Sequence, residues 1–259
     1  MTPFDLELVA ALRERAQREE TGLFAVEGVR FLIATVDAGA DVAGLVVCKR
    51  LLTSVPGRMV VRRLRRRGVP TLLVQEDVLA PLSRLRDGSG RGVIAVVRQR
   101  WRPPHRIGRR ETWLAVHDVR SLGNLGTLLR TCLAVGARGV FLLDDVDPFD
   151  PACVRATMGA LMRLEFVRLE AGGLSALVAE SGAKLVGASP HGKRDFRLHR
   201  YRDSTVLLLG GERSGIRPEL ARGCHTLVRI PMQPGLDSLN LAVAGSLVLY
   251  EIFAQRERR

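Results

Sequence analysis

Cysteine is scarce in this chain, long apolar runs are missing, and acidic residues are outnumbered nearly two to one by basic ones over residues 1–110. The four cysteines, Cys48, Cys132, Cys153 and Cys224, share no paired spacing. That excludes a disulfide framework or a cysteine zinc site and leaves reduced thiols. No stretch approaches the roughly 20 apolar residues that span a bilayer, and the N-terminus lacks a charged-then-apolar leader pattern. A cytoplasmic setting with neither membrane nor metal as partner is therefore expected. No G-x-G-x-x-G follows the first strand of either half, which removes the usual signature of a nucleotide-dependent oxidoreductase.

What is present is 259 residues, enough for one large domain or two ordinary ones, carrying a net charge of +13. The charge is uneven. Residues 1–110 hold 21 Lys and Arg against 11 Asp and Glu, whereas residues 111–259 hold 19 against 16. A genome biased towards arginine would raise both halves alike, so the surplus reads as an electrostatic footprint for nucleic acid.

From the N-terminus, Pro3 and the apolar positions Leu6, Val9, Ala10 and Leu12 predict a first helix ending near Glu20. LFAV (Leu23 to Val26), AGLVVC, VPTLLV (Val69 to Val74) and GVIAVV (Gly92 to Val97) read as strands. Helices fall between them, over EGVRFLIATVDAG, Met59 to Arg67 and Val78 to Leu82. This alternation predicts a small α/β sandwich. Its most basic spot is the helix with Arg58, Arg62, Arg63, Arg65, Arg66 and Arg67, too one-signed for an ordinary solvated face. RQRWRPPHRIGRR (Arg98 to Arg110) reads as a linker, in which Trp101 packs on its own domain more readily than on a base.

The second half opens on the strand TWLAVHDV and continues into a helix expected to be capped by Gly123-Asn124. Arg130 interrupts that helix's apolar positions, so it reaches the surface or meets an anion. Further elements are a strand at VFLL, helices over Val154 to Leu161 and Leu174 to Ser181, and a strand at AKLVGAS. The loop after it, with Lys193, Arg194, Arg197, His199, Arg200 and Arg202, is a second candidate RNA contact. The chain then centres on two strands, Thr205 to Leu209 and Leu227 to Ile230. The first runs into Gly210-Gly211 and Glu212, a pocket floor with a carboxylate where ligands bind in open α/β sheets. The second is stopped by Pro231 and leads through Pro234-Gly235 to an N-cap at Asp237 or Ser238. Leu239, Val243, Leu247 and Ile252, with Ala242, Ala244, Gly245 and Ser246 between them, then make a closely packing helix.

NLGTLLR (Asn124 to Arg130), LLLGGERSG (Leu207 to Gly215) and RIPMQPGLDSLNLAVAGSLVLYE (Arg229 to Glu251) together resemble the three motifs of the SpoU, or TrmH-type, RNA 2′-O-ribose methyltransferases. Residues 13–97, notably FAVEGVRFL, are similar to that family's small L30e-like substrate-binding domain. The resemblance implies an α/β fold: a SPOUT trefoil-knot catalytic domain with a Rossmann-like parallel sheet, preceded by an L30e-like α/β domain. The implied boundaries are residues 1–98 for the first domain, 99–111 for the linker and 112–259 for the second.

The resemblance also implies S-adenosylmethionine as cofactor, against Leu209, Gly210, Ile230, Met232 and Leu239, in a homodimer with the site at the subunit interface. Arg130, Asn124, Glu212, Ser238 and Asn240 fall on the family's polar active-site positions. The basic first domain favours ribosomal RNA as substrate, in ribosome maturation or antibiotic resistance. The alternatives are a tRNA methyltransferase and a non-catalytic RNA-binding protein that keeps the knot. Two positions depart from the family pattern. Ser121-Leu122-Gly123 stands where Asp-Pro commonly precedes the motif asparagine, and Gly211 stands where Asn, Ala or Ser is common.

A guanidinium is never deprotonated in a protein, so Arg130 is expected to grip a phosphate and stabilise the developing alkoxide rather than act as base. Asn124, Ser238 and Asn240 are expected to orient the ribose, and Glu212 to position the motif loop or Arg130.

Overall fold

The computed structural model describes residues 4–83 and 92–257. Pro3, the expected helix start, lies outside the described residues. Two compact units emerge, one comprising Met1–Gln99 with Asp147–Arg163, the other Arg100–Val146 with Leu164–Arg259.

In the first unit the expected leading helix is two, α1 (Leu6–Ala11) and α2 (Arg15–Thr21). The Asp5 carboxylate caps α1 by accepting the Leu8 N–H at 2.8 Å. The break between the helices is held by Arg18, whose guanidinium donates to the carbonyls of Leu12 and Arg13 at 2.9 and 2.7 Å. These are carbonyls that an unbroken helix would have satisfied itself. The chain continues as β1 (Leu23–Glu27), α3 (Val29–Asp37), β2 (Val42–Val47), α4 (Val55–Arg66), β3 (Thr71–Leu73), α5 (Glu76–Leu79) and β4 (Val93–Arg98). The four strands lie in the order β1-β4-β2-β3, with β4 antiparallel to both neighbours. Leu8, Leu12, Val46, Ile94 and Val96 are part of the core beneath them. α4 starts before the expected Met59, because Ser54 caps it through the Gly57 N–H and Pro56 is preorganised for a first turn.

The second unit begins with β5 (Thr112–Val116), α6 (Leu122–Ala134) and β6 (Gly139–Leu142). Ser121, not Gly123-Asn124, caps α6, its Oγ accepting the Asn124 N–H at 3.3 Å. The next stretch, α7 (Pro151–Ala156) and a 3-10 turn (Ala160–Arg163), belongs to the first unit. A single helix over Val154 to Leu161 does not form, because Met158 and Gly159 adopt φ of 52° and 95° and reverse the chain. β7 (Glu165–Arg168), α8 (Ala171–Ser181), β8 (Lys184–Ala188), β9 (Arg194–Asp195), β10 (Thr205–Leu209), α9 (Pro218–Gly223), β11 (Thr226–Arg229) and α10 (Leu241–Glu257) complete the second unit. β7, β9 and α9 are too short to show a period, so sequence pattern alone does not reveal them. Trp101 packs within its own unit, 6.5 Å edge-on from Phe166 with Arg168 over its ring at 4.0 Å.

All seven strands of this sheet run parallel, in the order β7-β6-β5-β10-β8-β11-β9. Strand order therefore turns back on itself beside β5 and β10, and the crevice at such a switch point is where open α/β sheets bind ligands. α10 covers this centre. An added Cβ at Gly245 would come within 2.5 Å of the side chains of Leu128 on α6 and Leu209 on β10, so close helix packing there needs glycine. The packing face is Leu241, Ala242, Gly245, Val248, Leu249 and Ile252. Val243 and Leu247, expected in the core, point outward at 49% and 42% exposure. The helix is apolar nearly all round, so periodicity could not tell one face from the other. Its last turn is tied down by Arg256, which donates to the carbonyls of Arg110 and Asp203, each at 2.8 Å, and to Thr112 Oγ1.

Candidate active site

The three motifs meet at the C-terminal ends of β5 and β10. β10 is buried along its whole length and ends on Gly210, where an added Cβ would fall under 3.0 Å from the main chain of Gly215 and Ile216. Only glycine lets that turn close. At Gly211 a Cβ would lie 2.7 Å from the Asp118 carbonyl and 2.7 Å from Ser214 Oγ. Ser214 in turn donates to Asp118 Oδ2 at 2.6 Å, so these two side chains occupy the volume that a larger residue at 211 would need. Asp118 adopts φ 50°, fixed by its N–H donating to Asp144 Oδ2 at 2.7 Å.

A single chain of hydrogen bonds joins three of the expected polar residues, Glu212, Asn124 and Asn240. Glu212 Oε1 accepts the Ser121 N–H at 3.2 Å and Asn124 Nδ2 at 3.1 Å, while Oε2 accepts the Arg120 N–H at 3.2 Å. Burial would raise the Glu212 pKa, but bonds from its own backbone, Asn124, Arg120 and Ser121 outweigh it and hold the carboxyl below its ordinary value. A carboxylate so engaged is a fastening for the Arg120–Ser121 loop and a weak base. Asn124 Oδ1 accepts Asn240 Nδ2 at 3.0 Å, and Asn240 Oδ1 accepts the Ala242 and Val243 N–H groups at 2.9 and 3.3 Å. Asn240, rather than Asp237 or Ser238, therefore caps α10. Each amide keeps one N–H for a ligand.

Beside this chain lies a cleft of about 320 Å³, lined by Leu209, Gly210, Ile230, Met232, Ser238 and Leu239. All five expected cofactor positions are on its wall, as is Ser238. Sequence reasoning missed Ser189 and His191, which follow β8, and Arg213, all on the same wall. The signal was there, since Ser-Pro-His-Gly follows the C-terminal end of a parallel strand. Arg130 stands exposed on α6, with no hydrogen bond or ion pair to a side chain among the described residues. Glu212 thus holds the motif loop and is not hydrogen-bonded to Arg130 among the described residues.

His117, just after β5, is fully buried. Its Nε2 accepts the Arg217 N–H at 3.4 Å, and Arg217 Nη2 pairs with Asp144 Oδ1 at 3.0 Å. Burial, aided by Arg217, lowers the His117 pKa against the opposing pull of Asp144 and Asp118. The linkage follows in sign. The unfolded imidazole takes its proton as the pH falls through about 6.5 and the folded one only at lower pH, so stability is full above that range and declines as the pH falls through it. The urea midpoint is expected to fall between pH 7.5 and 5.5, and His117→Asn to flatten that fall. An equal slope in the variant would show that His117 contributes nothing to it.

The SpoU rRNA Methylase family model matches residues 111–250, and an MRM3-like substrate binding domain model matches residues 6–92. A 23S rRNA (uridine(2479)-2′-O)-methyltransferase of Streptomyces viridochromogenes is 31% identical over 95% of this chain and 88% of its own. The crystal structure of an AdoMet-bound rRNA methyltransferase from Sinorhizobium meliloti superposes with a TM-score of 0.86 at 32% identity, covering 95% of this chain and 93% of that one. The SpoU methyltransferase AviRb from Streptomyces viridochromogenes, in complex with AdoMet, gives 0.87 at 29% identity and 97% coverage of both chains. Motifs, switch-point cleft and near full-length likeness agree, and the chain belongs to the SpoU rRNA methylase family.

Proposed function

We propose that this protein methylates a ribose 2′-hydroxyl of ribosomal RNA, using S-adenosylmethionine. The observation that carries the reading is the cleft itself. It is floored by Gly210 at a turn no side chain could enter, walled by Leu209, Ile230, Met232 and Leu239, and adjoins a fixed chain of amides. Bare backbone with apolar walls suits an adenosyl group, whose ring edge bonds to main chain while its faces pack on aliphatic side chains. When bound, S-adenosylmethionine would supply an electrophilic methyl on its sulfonium sulfur for the ribose 2′-oxygen, with S-adenosylhomocysteine as the leaving group and the hydroxyl proton lost to water. Asn124 and Asn240, held by Glu212 and the α10 cap, present their remaining N–H groups to the ribose, with Ser238 beside them. Arg130 holds the adjoining phosphate and stabilises the alkoxide as it forms. RNA rather than DNA follows from the 2′-hydroxyl.

The active form in this proposal is a homodimer. Val243, Leu247 and Tyr250 make an apolar stripe at i, i+4 and i+7 along α10, exposed at 49%, 42% and 51%. Patches of this kind mark association surfaces. Leu247→Glu is expected to give a monomer by light scattering and to abolish methyl transfer; a dimer of full activity would refute this assembly.

The test uses tritiated S-adenosylmethionine with total ribosomal RNA and, separately, tRNA from a heterologous bacterium, followed by mapping of the labelled ribose. Label in ribosomal RNA supports the reading. Label in tRNA alone, or none where cofactor binding is intact, overturns it. Gly210→Ala adds a check on the cleft, because its Cβ has no room beside Gly215. Cofactor affinity by calorimetry is expected to fall at least tenfold.

A further inference from the structure

The loops after β5 and β10 are both tied to a carboxylate that belongs to neither. Asp144 lies two residues past the end of β6, the strand beside β5. The sheet register runs on past the strand ends, because the Leu143 N–H donates to the Val116 carbonyl at 3.0 Å and the His117 N–H to the Leu209 carbonyl at 3.2 Å. Asp144 is thereby set beside both loops. Its Oδ2 accepts the Asp118 N–H at 2.7 Å and its Oδ1 accepts Arg217 Nη2 at 3.0 Å, so one side chain grips the main chain after β5 and a guanidinium after β10.

The main chain it grips is strained. Asp118 has φ 50°, a region that side chains disfavour and that persists only where the surroundings over-determine it. Two bonds do so here. One is the N–H bond to Asp144, and the other joins Asp118 Oδ2 to Ser214 Oγ at 2.6 Å. Ser214 belongs to the turn that floors the cleft, which the Gly215 N–H closes on the Gly211 carbonyl at 3.0 Å. Just beyond Asp118, the Arg120 and Ser121 N–H groups bind Glu212, and Ser121 caps the helix that carries Asn124. Relaxation of Asp118 to ordinary backbone would redirect the chain into that cap and release Ser214 together. As an ion pair alone, Asp144 with Arg217 would contribute little, since their side chains are 31% and 39% exposed. That does not explain why its second oxygen holds a strained amide.

We propose that Asp144, outside all three motifs, is a positioning residue for methyl transfer: acting through Asp118, it holds the 118–124 segment against the 210–215 turn so that Asn124 faces the ribose. Asp144 is not among the residues lining the cleft. The inference rests on the methyltransferase reading above.

The test compares the full-length protein with Asp144→Ala, Asp144→Asn, Ser214→Ala, the double variant Asp144→Ala with Ser214→Ala, and a control, Asp145→Ala, which removes a charge one residue along. Methylation of ribosomal RNA gives kcat and KM, calorimetry gives S-adenosylmethionine affinity, and thermal melting reports on the fold. Asp144→Ala is expected to lower kcat by about tenfold or more, as misplaced reacting groups do. Cofactor affinity stays within about threefold, because the turn at Gly210 is closed by its own backbone bond. Asp144→Asn keeps an oxygen for the Asp118 N–H and should return kcat to within about threefold of the parent. Ser214→Ala should lower kcat by about threefold or more without moving the thermal midpoint, since Ser214 is exposed. The double variant should be no more than about twofold worse than Asp144→Ala, because both changes act through Asp118. The control keeps the parent values.

Parent kcat in Asp144→Ala would overturn the inference, as would parent kcat in Ser214→Ala should Asp144→Ala fail to fold. Equal damage from Asp144→Asn and Asp144→Ala would assign the effect to the ion pair with Arg217, and multiplying losses in the double variant would separate Asp144 from Ser214; either overturns it while the methyltransferase reading stands. A parent protein that binds S-adenosylmethionine and methylates no ribosomal RNA would overturn that reading and this inference with it.

Discussion

Arg130→Ala is expected to reduce methyl transfer by about 10²–10³-fold while S-adenosylmethionine affinity stays within twofold of the parent, the range seen when one preorganised charge-stabilising donor is removed. The expectation rests on where Arg130 sits. It projects from α6, whose opposite face buries Leu125, Leu128, Leu129 and Cys132, and it pairs with no side chain among the described residues. Removing it strands no buried partner, so stability should change by no more than about 0.5 kcal/mol. A fall in turnover therefore reports on the reaction and not on the fold. Arg130→Lys restores the charge but not the planar fork, so it should recover only part of the loss. Turnover within threefold of the parent for Arg130→Ala would remove this residue from the mechanism.

The second large effect is on stability. Arg18→Leu is expected to destabilise the first unit by about 3–5 kcal/mol, the range for breaking a buried ion pair from one side. Arg18 is 2% exposed and bonds Asp147 Oδ2 through Nε and Nη2 at 2.9 and 2.7 Å, with Asp150 at 3.3 Å. Without it the Asp147 carboxylate, itself 8% exposed, keeps only local donors such as the Phe149 N–H, and the carbonyls of Leu12 and Arg13 lose theirs. The double change Arg18→Leu with Asp147→Asn should recover part of the loss, since no buried charge is left at 147. Urea unfolding followed by circular dichroism gives the numbers. A loss below about 1 kcal/mol for the single change would mean that water or chain rearrangement satisfies Asp147, and the pair would not be what fixes Asp147–Arg163 in this unit.

Both residues separate what a sequence displays from what it hides. Arg130 announces itself, because a cation interrupting the apolar period of a helix must find water or an anion. Arg18 does not, because it lies among Arg13, Arg15, Glu19 and Glu20 and looks like one more surface charge. Its partner is 129 residues away. The strands Thr205 to Leu209 and Leu227 to Ile230 and the glycine turn at 210 were legible, since strand and turn chemistry are local, whereas Asn124, Glu212, Ser238 and Asn240 were marked by the family resemblance of their motifs.

Tertiary structure decided the rest. It set which face of α10 is buried, because a helix apolar on every side contains no preference until Leu128 and Leu209 close on Gly245. It made Asn240 the cap of that helix and an acceptor-donor link to Asn124, and it turned Glu212 into a fastening for the Arg120–Ser121 loop. It also explained Gly211, whose missing side chain is replaced by Asp118 and Ser214. The sequence by itself determined most of the longer elements and the turn that floors the cleft, and its motifs marked the candidate site residues. Which of those residues are spent on holding each other, and which remain free for a ligand, follows only from long-range pairings that local pattern does not encode.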